Sequence, residues 1–298
     1  MNKLPVGQTI RFAYAFTFGE IGTVIGLIWI PTLINAVLAF FGVRAIYLAA
    51  ADLLETAQPQ LGGQLLLLIF VLVLATVMLW SMIAVAIARQ ALGLRKGPAY
   101  AHLSLGAAEL RVFGGFFGLY SLLILFYMAF TIAAGGVMFA VGSVASGPAA
   151  AAGLGVLSLA GLCAIFYAAV RLSFLMVPAA LDGNGVGLSR SWQLTQGNFW
   201  RILAVGLATL LPVLLLMTLA QGIIMGPEFF APPKLPPAAD AAANMKVWAG
   251  QMRATVVHLP LLAGLGFVVS PLLYGLLFAP AAFAYRALSG RAVVEASE

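Results

Sequence analysis

Apolar residues fall along this chain in six long blocks, at about residues 20–41, 64–88, 114–140, 152–176, 200–225 and 257–285. A helix needs roughly 20 apolar residues to cross the hydrocarbon core of a bilayer, so the pattern predicts six transmembrane helices. The polar segments between them alternate in character. Segments 1–19, 89–113, 177–199 and 286–298 hold Lys3, Arg11, Arg89, Arg95, Lys96, Arg111, Arg190, Arg286 and Arg291, with Arg171 and Arg201 at the adjoining span ends. Segments 42–63, 141–151 and 226–256 hold only Arg44, Lys234, Lys246 and Arg253. Basic loops stay on the cytoplasmic side, which places both termini in the cytoplasm, and an even number of spans agrees.

The basic segments align with one another. Residues 13–20 (AYAFTFGE) sit over residues 191–198 (SWQLTQGN), and residues 103–117 make a poorer third copy. In each, a moderately amphipathic stretch meets glycine, then a span, an outer loop and a second span. The expected fold is an all-α polytopic membrane protein. Its single domain, 1–298, comprises three hairpin repeats (about 1–95, 96–183 and 184–298), each introduced by a cytoplasmic interfacial amphipathic helix.

In the best copy, Leu188, Trp192, Thr195 and Phe199 share one helical face, with Ser189, Arg190, Gln193 and Gln196 on the others. Gly197 suits the left-handed end of a helix, and Asn198 is a good N-cap for the next. Trp192 and Trp200 belong at headgroup depth, and Arg201 can snorkel there. A plain polar elbow between two spans accounts for the same pattern. The second spans end alike, in Ala88-Arg89-Gln90-Ala91-Leu92-Gly93 and Tyr285-Arg286-Ala287-Leu288-Ser289-Gly290, with Arg171 as a counterpart. Such an arginine either contacts lipid phosphate or anchors the helix at the interface. Of the outer segments, 43–57 reads as a small surface helix carrying Asp52 and Glu55. Residues 227–237, with five prolines among them, read as extended, and Asp240 caps a helix running through Trp248 into the sixth span.

Composition strengthens the membrane assignment. Of 298 residues, 63% are hydrophobic and 8% charged, with mean hydropathy +1.08. A soluble domain carries about 25% charged residues, so lipid has to solvate much of this surface. The net charge of +6 is then a topology signal rather than a sign of nucleic acid. Arginine outnumbers lysine and alanine is abundant, as in many bacterial membrane proteins. Gln8, Arg11 and Glu20 interrupt any apolar core of a signal peptide near the start, so Met1 is expected to be retained. Cys163 is the one cysteine, which rules out an intrachain disulfide.

Catalytic signatures do not emerge. His102 and His258 lack partners at metal spacing, and Asp182-Gly183-Asn184-Gly185 starts like a calcium loop without its terminal glutamate. Phosphate-binding, serine-hydrolase and zinc-protease patterns are missing from the chain. The predicted span centres hold Thr23, Asn35, Thr76, Ser121, Thr131, Ser158, Thr209, Thr218 and Ser270 but no centred charge, whereas ion-coupled pumps and membrane-embedded hydrolases place ionisable groups there. Glu20, Arg171, Asp182 and Arg201 all map to the cytoplasmic boundary, with Glu20 and Asp182 as candidates for a polar cavity. Pro212 and Pro271 are candidate kinks, each freeing a carbonyl one turn back. Gly22-x-x-x-Gly26 permits close helix packing. No cofactor and no metal is expected.

The segment Ser191-Trp192-x-Leu194-Thr195-x-Gly197-Asn198-Phe199-Trp200-Arg201, preceded by Arg171-Leu172-Ser173-Phe174 and Leu181-Asp182-Gly183, resembles bacterial six-span inner-membrane proteins. Those are similar to the membrane domain attached to some glycerophosphodiester phosphodiesterases. The phosphodiesterase barrel and its metal ligands have no counterpart here, so the resemblance implies an envelope role tied to lipids and carries no activity. The expectation is a non-enzymatic inner-membrane protein that engages membrane lipids, anionic phospholipid among them, through Arg171, Arg190, Trp192, Asn198, Trp200 and Arg201. It would organise or transfer lipid, or act as a scaffold with a membrane-protein partner or a second copy. The alternative is a transporter of a small or amphipathic solute.

Overall fold

A computed structural model describes residues 3–56, 59–95, 103–142, 148–183, 185–226, 229 and 241–290. Lys96, His102, Asn184, Lys234, Asp240, Arg291 and the proline-rich stretch 227–237, apart from Phe229, lie outside the described residues. Helix dominates the described residues, and none of them is in a strand. In chain order the helices are α1 (Val6–Gly19), α2 (Ile21–Thr56), α3 (Pro59–Ala91), α4 (Ala107–Gly142), α5 (Pro148–Ser173), α6 (Met176–Asp182), α7 (Leu188–Leu194), α8 (Phe199–Met225) and α9 (Ala241–Ser289). Six helical stretches are long and apolar enough to cross a membrane, in α2, α3, α4, α5 with α6, α8 and α9. The chain is an integral, multi-pass membrane protein.

Packing is concentrated at one end of the bundle. We call it the basic end, because Arg11, Arg89, Arg111, Arg171, Arg190, Arg201 and Arg286 lie on the helix ends and short helices gathered there. Every residue of α3 from Ser81 to Ala88 is buried, since α2, α4, α6 and α9 surround its last turns. Met176, Val177 and Ala180 of α6 fill the centre of this core, against Val112 and Phe116 of α4 and Ala279 and Ala282 of α9. Away from the basic end the helices thin out. Only 11% of the most apolar window of α4 is covered by protein, so lipid has to cover the rest.

Several local features depart from the sequence reading. Residues 43–56 do not form a separate surface helix, because α2 continues unbroken to Thr56. Its outer end lies along α9, where Arg253 binds Asp52 at 2.8 Å and Glu55 at 2.7 Å. The stretch before α4 is not an interfacial helix either. Residues 103–106 are irregular, and the Glu109 carboxylate reaches back to the Gly106 N–H at 3.0 Å. That is the reciprocal half of a capping box, and it starts α4 directly as a membrane-crossing helix. Gly22 sits in open space rather than at a close helix crossing. Close approach occurs instead at Gly275, where a side chain would meet Thr17 of α1.

The two proline sites are resolved by hydrogen bonds. Pro212 has no N–H, which leaves the Ala208 carbonyl unpaired within α8. Tyr14 of α1 donates its hydroxyl to that carbonyl at 2.8 Å. Likewise Pro271 frees the Phe267 carbonyl, and Ser270 Oγ donates to it at 2.7 Å. Neither freed carbonyl is left for a ligand. Gly93, Gly197 and Gly290 all have left-handed φ, at 66°, 72° and 69°, so residues 88–93 and 285–290 both end a helix on such a glycine.

Candidate functional site

Arg171 is the one charged residue of α5 and lies two residues before its end, where the chain breaks at Phe174 and Leu175. It is 6% exposed. Its guanidinium donates from Nη1 to Tyr167 OH at 2.9 Å, from Nη2 to the Trp192 carbonyl at 2.6 Å and from Nε to Thr195 Oγ1 at 3.3 Å. The Trp192 ring covers it at 3.8 Å. The Arg171 carbonyl in turn accepts from Ser191 Oγ at 2.8 Å. Ser191, Trp192 and Thr195 all belong to α7 and its cap, so Arg171 clasps the short helix to the end of α5. A planar, permanently charged fork suits this role, because it can donate in three directions while stacking on an indole. The expectation that Arg171 faces lipid phosphate directly needs correction: the side chain is covered by its own protein.

Asn198 and Arg201 work together in another way. Asn198 opens α8, but its side chain makes no cap bond to the helix. Its Oδ1 accepts the Leu4 N–H at 3.0 Å, while Arg201 Nη1 donates to the Leu4 carbonyl at 3.0 Å. Both backbone groups of a fully buried residue are thereby satisfied by the start of α8, which pins the chain ahead of α1 beneath it. Asn198 holds the N-cap position as expected, but a tertiary donor, the Leu4 N–H, takes its side-chain oxygen in place of the N–H groups of the first turn. The snorkelling expected of Arg201 is likewise replaced by this bond.

Trp200 is 76% exposed and packs edge-on against Phe199. Trp192 is exposed on its outer side, and Arg190 is exposed on α7. Of the six headgroup candidates, these three are exposed, while Arg201 is half-buried and Arg171 and Asn198 are buried. Glu20, at the junction of α1 and α2, accepts from Gln90 Nε2 at 2.9 Å. Asp182 accepts from Tyr285 OH at 2.7 Å. Glu20, Asp182 and Arg171 thus keep three separate sets of partners. Asp182 and Tyr285, with Ser189, Arg190 and Gln193, are among the residues that line a cavity of about 460 Å³ at the basic end. Among the described residues no three His, Cys, Asp or Glu side chains come together as a metal site would require.

Sequence reasoning passed over Glu109. It is 1% exposed and bound by Arg89 at 3.3 Å as well as by Gly106. The Gly106-x-x-Glu109 spacing ahead of an apolar run was the available signal.

The second cavity is apolar and lies within the spans. It measures about 510 Å³ and runs between the α4–α5 pair and α8, with α9 and Trp80 of α3 behind it. Along α8 its wall extends from Ile202 to Leu214, about 18 Å at 1.5 Å per residue. Phe166, Leu207, Leu211 and Leu214 line it and are also exposed at the protein surface, so the groove opens sideways, towards lipid. At the basic end Tyr167 and Phe199 close the gap between α5 and α8, their rings 4.7 Å apart.

The three walls of this groove each carry an arginine near its basic end: Arg111 on α4, Arg171 on α5 and Arg201 on α8. Arg111 donates to the Ala180 carbonyl at 3.2 Å. All three bind neutral oxygens, and none forms an ion pair among the described residues. None of the three lines the groove itself, and Arg171 is buried, so the unneutralised charge accessible beside its basic end is that of the half-buried Arg111 and Arg201.

Comparison with family models, with curated proteins and with solved structures found no match to this chain.

Proposed function

We propose that this chain is a non-enzymatic, lipid-interacting protein of the bacterial inner membrane, built as three helical hairpins with both termini in the cytoplasm. The observation that carries the reading is a sideways-open apolar groove, with the half-buried Arg111 and Arg201, which have only neutral partners, on α4 and α8 just beyond its basic end. A groove of this kind suits a hydrocarbon chain, and the two arginines suit an anionic headgroup. The exposed indoles of Trp192 and Trp200 fit headgroup depth beside it. The resemblance to the membrane domain of glycerophosphodiester phosphodiesterases points the same way. Organisation or transfer of lipid, or scaffolding of a membrane-protein partner or second copy, are the roles such a surface serves.

Arg190→Glu combined with Trp200→Ala tests this reading without touching the buried clasp, since both side chains are exposed. The double variant should copurify with less anionic phospholipid per protein than the natural chain. An unchanged lipid complement in the folded variant contradicts the proposal.

A second reading, transport of a small solute, draws on the cavity around Asp182, Arg190 and Tyr285. Solute flux into proteoliposomes over a broad panel supports it, and the absence of flux counts against it.

A further inference from the structure

The groove between α5 and α8 has the dimensions of one leaflet. Its α8 wall is about 18 Å long, against about 15 Å for half of a 30 Å hydrocarbon core. It begins beside the basic end, where α8 starts at Phe199, and finishes near Leu214. Its lining is almost wholly hydrocarbon: Leu119, Leu123, Val170, Phe174, Leu203 and Leu210 are typical. Gly206 on its α8 wall leaves open space, with no atom within 4 Å of the position a Cβ would take.

From these features we infer that the groove holds one acyl chain of a glycerophospholipid drawn from the leaflet at the basic end, with its phosphate towards Arg111 and Arg201. This inference rests on the lipid-interaction reading and narrows it to one place. A second copy of the chain is a poorer occupant, because the groove is recessed between helices rather than presented on a protruding face. Lipid tails gain no hydrophobic free energy on leaving lipid for an apolar groove. Preference for this site has to come from close packing along the chain and from the charge beside it. Arg111 and Arg201, half-buried beside the basic end of the groove, provide that charge, because no carboxylate among the described residues neutralises them.

Trp80 lines the groove and serves as a built-in reporter. The protein is reconstituted with phosphatidylglycerol brominated midway along one chain, and tryptophan quenching is compared with that of Trp80→Phe. The difference is the Trp80 contribution, while Trp200 monitors the ordinary lipid boundary. The natural chain should show Trp80 quenching, Gly206→Leu should reduce it and Gly206→Phe should abolish it, with quenching of the other tryptophans kept. Brominated diacylglycerol, which lacks the phosphate, should quench Trp80 less than the phospholipid does.

Equal Trp80 quenching in the natural chain and both Gly206 variants overturns the inference. So does a Trp80 that stays unquenched while the other tryptophans respond. Either result leaves lipid binding elsewhere intact, because lipid copurification is measured separately. Should the Gly206 variants not fold, the comparison of the natural chain with Trp80→Phe still decides whether a chain enters the groove. Equal quenching by diacylglycerol removes the phosphate from the proposal.

Discussion

The bond between Tyr14 and α8 makes a sharp prediction. Pro212 lacks an N–H, so the Ala208 carbonyl has no helical partner, and Tyr14 OH supplies one at 2.8 Å. Tyr14→Phe removes only the hydroxyl and keeps the ring, which stacks on Phe18. Side-chain hydrogen bonds in membrane proteins average about 0.6 kcal/mol with a maximum near 1.7, and leaving a buried carbonyl unpaired costs about 1–3 kcal/mol. Tyr14→Phe should therefore destabilise by about 1–2 kcal/mol. Pro212→Ala restores an N–H to the helix, and the carbonyl then has its own partner. In that background the loss of the hydroxyl should cost little, giving a coupling energy of about 1 kcal/mol between the two positions. Equilibrium unfolding of the four proteins in mixed micelles, titrated with sodium dodecyl sulfate, measures the cycle. Equal effects of Tyr14→Phe in both backgrounds would falsify the account, as the hydroxyl would then not be acting through the proline.

Other substitutions follow from the same geometry. Ser270→Ala should cost about 1 kcal/mol by orphaning the Phe267 carbonyl, and no change in unfolding would remove that bond from the account. Arg171→Ala should destabilise by about 2–4 kcal/mol, through loss of its charge-assisted hydrogen bonds to neutral partners and of its stacking on Trp192. Arg171→Lys should recover less than half of it, because an ammonium cannot form the three-way planar fork; full recovery would mean that charge alone matters. Gly187→Ala should fold poorly, since Gly187 has φ 82° and an added Cβ would run into the Met176 carbonyl. Normal yield and thermal stability of that variant would contradict the tight packing of α6 on the turn before α7.

The six spans were legible because a membrane-crossing helix has to be apolar around its whole circumference over some 20 residues. That signal is local and needs no partner. The left-handed turn at Gly197 was legible for the same reason. What the sequence hid depends on contacts across long separations. Leu4 meets Asn198 and Arg201, and Tyr14 meets Ala208, in each case 194 or more residues apart. Arg171 looked like an interfacial anchor because its ring partners and acceptors come partly from α7, more than twenty residues on. Asn198 fits the statistics of a cap, yet a backbone N–H from the far end of the chain took its oxygen. Helix ends were misjudged where nothing polar forces a stop, so α2 carries on to Thr56. Of the candidate surface residues, Arg190, Trp192 and Trp200 reach the surroundings, and the groove was invisible because its lining is indistinguishable from any lipid-facing surface.

The central claim is that this protein holds lipid specifically rather than merely dissolving in it. Native mass spectrometry of the protein released gently from its own membrane addresses that most directly. The account predicts a stoichiometric phospholipid adduct that survives activation energies at which bulk lipid is stripped. A bare polypeptide mass under those conditions contradicts it.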